Sequence, residues 1–359
     1  MNNKLRIING SDDNERLYTI EEMNKFQQSL ISGWELQQRA VGYTEESIAL
    51  NLRNIKEFLE LIDKYIWDIT PEDVDKFYAN LVGRNLAHST RRKYQSNIST
   101  FLDYLRTRKS LEIYQKIGVT VPDVFDQFNK FFHRRDDNDI KVVPPKKEIV
   151  DIFFDFLIEE MKYSRKYKTV ARDYVFFKLL GLLGIRINEL TMVDVSDVRF
   201  DLGTTEIGKI NIRYGKGSRG TGPKQRWVPL INGSRKLLEW YLKNVHVLFN
   251  GNYENEIPLF LTESGDRVTR DAMRANLARR EKKAGIPESE RFSAHQLRHA
   301  FATDLAGRGV DILTISKLLG HSNIATTAGY LDASSDYIEK RIKVAQRKWK
   351  QELLELEDE

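Results

Sequence analysis

Residues 293–305 read SAHQLRHAFATDL and residues 318–331 read LLGHSNIATTAGYL. In a helix, His295, Arg298 and His299 share one face, because they are three and four positions apart. Histidines at i and i+4 also have zinc-ligand spacing. That reading needs a third ligand, and the glutamate that would complete a zincin motif is missing. Taken singly, each histidine reads equally well as a satisfied core residue. In the second stretch His321 follows a glycine and Tyr330 comes nine residues later. A lone tyrosine is nearly always structural.

Two upstream segments add cations. GLLGIRINEL at 181–190 sets Arg186 inside a nearly uncharged stretch. Burial there would demand an anionic partner, and Glu189, three residues on, can hold the guanidinium; the two can equally just pair with each other. YGKGSRGTGPKQRWVPL at 214–230 interleaves Gly215, Gly217, Gly220 and Gly222 with Lys216, Arg219, Lys224 and Arg226. Glycines let a hairpin loop approach another backbone closely, and cations between them suit a DNA backbone. A flexible surface turn is the competing reading.

Arginine, glycine-flanked lysine, H-x-x-R, G-H and tyrosine occur in that order. The chain resembles the tyrosine recombinase (phage integrase) family, strongly over about residues 146–335 and more loosely over about 15–130. HQLRHAFAT and LLGHSNIATTAGY match its two best-known boxes almost letter for letter. The resemblance implies an active site of Arg186, Lys216, His295, Arg298, His321 and Tyr330. It implies DNA strand exchange through a 3′-phosphotyrosyl link, with no metal or nucleotide cofactor. Tyr330 is then the nucleophile, His295 takes its proton, and lysine protonates the leaving 5′-oxygen. Arg186, Arg298 and His321 hold the phosphate. The implied partners are double-stranded DNA, a homotetramer on two duplexes, and accessory proteins. One departure concerns the hairpin: nine residues, SRGTGPKQR, separate G-K-G from Trp227, where the family uses a shorter stretch. Lys224 thereby rivals Lys216 as general acid.

The rest of the chain is consistent with this. It has 359 residues, 41% apolar and 30% charged, with a net charge of +5 and no cysteine. That composition is soluble and globular, excludes thiol catalysis and disulfides, and makes the cytoplasm the natural compartment; no membrane is expected. The expected fold is mainly α with a small antiparallel β-sheet (α+β). The domain reading is a mobile N-terminus at 1–14, a helical core-binding domain at 15–133, a linker at 134–147, and a catalytic domain at 148–359.

In the first domain, Thr19 with Glu22 forms a capping box. Thr44 precedes Ile48, Leu52, Ile55, Leu59 and Ile62 at helical spacing. Thr70-Pro71-Glu72-Asp73 is a helix start. A fourth helix is expected from Ser89 or Thr90, with Arg91, Arg92 and Lys93 in its first turn, against the helix dipole. Those cations are either a solvated cluster or DNA contacts, as are Arg219, Lys224 and Arg226. Beyond the linker, helices are expected at Ile149–Met161, Val170–Leu183 and Arg235–Asn244. Strands are expected at Lys209–Tyr214, Gln225–Leu230 and Pro258–Leu261. The tail IEKRIKVAQRKWKQELLELEDE reads as an amphipathic helix that docks on its own domain or on a neighbouring protomer.

The enlarged hairpin and N-terminal extension point to a mobile element, in integration or transposition. The alternatives are type IB topoisomerase-like relaxation of DNA, or a DNA-binding accessory protein without catalysis.

Overall fold

The structure is a computed structural model that describes residues 6–8, 16–130, 143–203, 207–215, 224–251, 256–321, 323, 324 and 327. The chain divides into two compact units, one within residues 1–140 and one within 141–359. It begins with a strand pair, β1 (Arg6–Ile8) and β2 (Arg16–Tyr18), antiparallel with Ile7 opposite Leu17. Neither strand is expected from the sequence. Three-residue strands are too short for alternation to show in a sequence.

Five helices follow: α1 (Ile20–Ala40), α2 (Glu45–Ile62), α3 (Pro71–Gly83), α4 (His88–Tyr104) and α5 (Ser110–Ile117). The local signals act as read. Thr19 and Glu22 form the capping box of α1. The Thr44 hydroxyl accepts from the Ser47 N–H ahead of α2. Thr70 precedes Pro71, the first residue of α3. The α4 start differs from the expectation. The helix begins at His88 after Ala87, which has no side chain to cap it. Arg91, Arg92 and Lys93 therefore fall at its fourth to sixth positions, where the dipole penalty is smaller. Trp34, Phe58, Phe77 and Phe101 are fully buried between these helices. Phe58 meets Phe77 edge-on at 5.0 Å between ring centres, the favoured aromatic geometry.

The second unit is built on α6 (Lys147–Tyr163) and α7 (Tyr167–Leu183). α7 is apolar on nearly every side, and Val175, Phe176, Phe177, Leu179, Leu180 and Leu183 are all fully buried. It is thus a central helix rather than an amphipathic surface one. A short α8 (Ile187–Thr191) leads to a three-stranded antiparallel sheet of β3 (Val198–Arg199), β4 (Lys209–Gly215) and β5 (Lys224–Pro229), in that order. The unit's further helices among the described residues are α9 (Ser234–Asn244), α10 (Arg270–Lys283), α11 (Ala294–Gly307) and α12 (Ile312–Leu319). The strand expected at Pro258–Leu261 does not form. Its ends make single bridges, Pro258 to Asp194 and Leu261 to Arg267, and its backbone is shared between two partners, Leu259 N–H donating to Val193 O and Phe260 O accepting from Val268 N–H, so neither pairing extends into a ladder. No helix among the described residues is long and apolar enough to cross a membrane.

Candidate active site

Arg186 is delivered by the end of α7. Gly184 terminates that helix at φ +62°, and a Cβ there would collide with the Phe301 ring of α11. The chain can therefore turn tightly against α11 only through a glycine. Two residues on, Arg186 caps α8, its N–H donating to Glu189 Oε2 at 3.0 Å and its Nη1 to Glu189 Oε1 at 2.7 Å. Glu189 is only 3% exposed. Arg226 on β5 forks the same carboxylate, Nη1 to Oε1 at 3.1 Å and Nη2 to Oε2 at 2.7 Å. Burial pushes the Glu189 carboxyl up. The Arg226 hydrogen bonds and charge, with Arg186, outweigh it and hold the group below its usual range, so it stays ionised.

α11 presents the next residues. Ser293 and Gln296 cap it reciprocally, and the helix carries His295 and Arg298 on one face as the spacing predicts. Arg298 is 1% exposed, an unusual place for a cation. Backbone carbonyls meet it: Nη1 donates to Gly184 O at 2.6 Å and Nη2 to Leu319 O at 2.7 Å. Arg298 Nη2 also lies 2.9 Å from His321 Nε2, and His321 Nδ1 lies 2.8 Å from Thr327 Oγ1. A guanidinium only donates, so Nε2 accepts and the proton of neutral His321 sits on Nδ1. Burial, then the charges of Arg298, Arg186 and Arg226, push its pKa down to about 3. Burial, then the charges of Arg298 and Arg186, lower His295 as well. Both rings are neutral near pH 7, and a neutral imidazole can take a proton.

Arg186, His295 and Arg298 line one cleft of about 830 Å³, together with Arg270, Arg274 and Arg291. These last three were not found by sequence reading. Arg270 and Arg274 are four apart on α10, but that helix also carries Arg279, Arg280, Lys282 and Lys283, so spacing singles out no face. His299 is buried, its Nδ1 3.4 Å from Thr303 Oγ1, a core histidine. Among the described residues no cluster of three His, Asp or Glu could hold a metal.

Other expected residues are placed differently. Arg226 does not extend towards solvent as a backbone contact would; its side chain is turned inward onto Glu189, because alternation along β5 aims it with Val228 at the core. Lys224 is exposed at the start of β5, opposite Gly215. Arg91, Arg92 and Lys93 belong to the other unit. Lys216, Arg219, Tyr330 and the C-terminal tail lie outside the described residues.

A cleft of fixed guanidinium groups beside two neutral imidazoles can bind a phosphodiester and stabilise charge on its non-bridging oxygens. Comparison with known proteins gives the family and the fold. The model of the "Phage integrase family" matches residues 156–336. Tyrosine recombinase XerC of Staphylococcus aureus (strain JH9) is 26% identical over 329 residues, covering 89% of this chain and 95% of the relative. The XerC of Staphylococcus epidermidis (strain ATCC 12228) is 26% identical over 324 residues, covering 89% and 96%. Among solved structures, XerH recombinase bound to palindromic difH superposes with a TM-score of 0.61 at 20% identity, covering 83% of this chain and 78% of that one. The Tn1549 transposon integrase with transposon right end DNA gives 0.61 at 19%, covering 88% and 99%. At these identities the solved structures establish the fold.

Proposed function

The chain belongs to the phage integrase family and is a tyrosine-type site-specific recombinase, and from that premise we propose that it cuts and rejoins double-stranded DNA through Tyr330 on behalf of a mobile element. The observation that carries the chemistry is the convergence of Arg186, His295 and Arg298 on one cleft, with Arg298 in contact with His321.

The Tyr330 oxygen attacks phosphorus, forming the phosphotyrosyl bond while the bond from phosphorus to the 5′-oxygen breaks. Tyrosine titrates near 10, so its proton needs an acceptor; neutral His295 is suited to the role. Lys216, in its G-K-G context, supplies a proton to the departing 5′-oxygen. Arg186 and Arg298 neutralise the non-bridging oxygens, and Arg270, Arg274 and Arg291 hold flanking phosphates. His321 orients Arg298 before DNA binds. The 5′-hydroxyl of a second strand then attacks the phosphotyrosine and restores tyrosine, so no ATP is needed. Exchange between two duplexes requires a homotetramer.

The longer hairpin, nine residues beyond G-K-G, supports the mobile-element role. The test is incubation of wild-type protein with a nicked DNA carrying its site, followed by a denaturing gel. A covalent protein–DNA band that persists in EDTA is expected. Its absence on every end sequence of the surrounding element would contradict the reading.

A further inference from the structure

The Arg226 guanidinium touches two segments, each bearing one residue of the proposed reaction. Its fork closes on Glu189, which also holds Arg186. Its Nε donates to Leu318 O at 3.2 Å. A Cβ on Gly320 would come within 2.8 Å of the guanidinium carbon, whereas one on Gly215 would meet the Lys224 carbonyl oxygen of the facing strand first, at 2.2 Å. Gly320 immediately precedes His321. This glycine thus admits the flat cation at the point where the chain enters the G-H motif.

We infer that Arg226 is a positioning residue that sets the register of Arg186 and His321 relative to each other, rather than a DNA contact. The inference rests on the recombinase reading. Arg226 occupies both oxygens of Glu189, so the Arg186 guanidinium meets the carboxylate through one nitrogen. Guanidinium and carboxylate pair most strongly as a fork. Without Arg226, the buried Glu189 draws Arg186 into that fork and away from the phosphate. The seat against Gly320 and Leu318 O also empties, loosening the end of α12 ahead of His321.

The test uses full-length Arg226→Met and Arg226→Lys, each also in an Arg186→Ala background. Covalent-complex formation is timed in a single turnover at saturating nicked DNA, and DNA affinity is measured across a salt series. Both single variants should lose at least about tenfold in rate, since a misplacement of about 1 Å can cost 100-fold. Lysine should fail to rescue, because an amine keeps the charge and loses the fork. Affinity and salt slope should hold. With Arg186 already removed, Arg226→Met should cost less than about threefold more.

Three results would overturn the inference: near-normal cleavage by Arg226→Lys, rate losses for Arg226 and Arg186 that multiply, or a salt slope reduced by about 0.9, which marks a phosphate contact. If Arg226→Met does not fold, Arg226→Lys carries the same comparisons. A DNA-free readout separates the two ideas. Arg226→Met and Glu189→Gln should couple at least tenfold in the urea unfolding equilibrium. A wild type that forms no covalent complex would defeat the recombinase reading, while coupling under about twofold would overturn the clamp itself.

Discussion

Two of the buried carboxylates in the second unit, Asp173 and Glu189, are each gripped by two arginines, and the two grips differ. Asp173 in α7 is 0% exposed. Arg172 gives Nε and Nη2 to its Oδ1 and Nη1 to Leu261 O; Arg280 gives Nε and Nη2 to its Oδ2 and Nη1 to Glu160. Both side chains are at most 6% exposed, and most of their donors are committed to protein. At Glu189 only Arg226 is committed in this way. Among the described residues Arg186 gives its side chain to Glu189 through Nη1 alone, and that side chain is 28% exposed and lines the cleft. Charge pairing in the interior is therefore no mark of function by itself. The mark is a cation fixed by a buried anion with donors still turned towards an open cleft.

The sharpest way to break this comparison is to mutate one arginine from each cluster. Arg186→Ala should slow single-turnover cleavage about 100- to 1,000-fold, as loss of one transition-state donor does, with little change in urea midpoint. Arg172→Ala should do the reverse. Removing one partner of a buried pair costs about 3–5 kcal/mol of stability, while the rate per folded molecule stays near normal. If both variants lose rate and stability in the same proportion, the two clusters are equivalent and the distinction fails.

Acid sharpens the comparison further. The His321 pKa in the folded protein, about 3, lies below its ordinary 6.5. Its contribution to stability is intact above pH 6.5 and is lost as pH falls from 6.5 towards 3, because the unfolded chain takes up a proton that the folded site refuses. His295 and His299 are lowered too and act in the same direction. Urea midpoints should therefore fall between pH 6.5 and 5, and His321→Asn should fall less steeply. A variant with the wild-type slope would show that His321 is not held neutral.

Much of this site could be read in the sequence because its spacing is local. His295 and Arg298 share a face through one helical step, and Glu189 reaches Arg186 across three residues. The capping residues of α1, α2 and α3 are local for the same reason. What escaped depends on contacts between distant segments. Arg226 lies 37 residues from Glu189 in the chain, and nothing in SRGTGPKQR distinguishes a cation that turns inward from one that meets DNA. The same holds for Arg270 and Arg274, hidden among the many cations of α10, and for Pro258–Leu261, whose apolar run finds only single bridging partners.

The smallest expected effect lies in the first unit. Arg91, Arg92 and Lys93 sit on α4, and if they meet phosphates, changing all three to Ala should flatten log K against log salt by about 0.9 for each phosphate no longer neutralised. An unchanged slope would make them a solvated helix face, leaving DNA capture to the cleft arginines.

Strand exchange of this kind depends on one attacking atom. The direct measurement is to trap the covalent complex on nicked DNA, digest it with trypsin and nuclease, and locate the nucleotide adduct by mass spectrometry, with Tyr330→Phe as the control. The adduct should lie on Tyr330, and the phenylalanine variant should bind DNA yet form no complex. An adduct on Tyr337, the next tyrosine along the chain, or a covalent complex from the variant, would contradict the assignment.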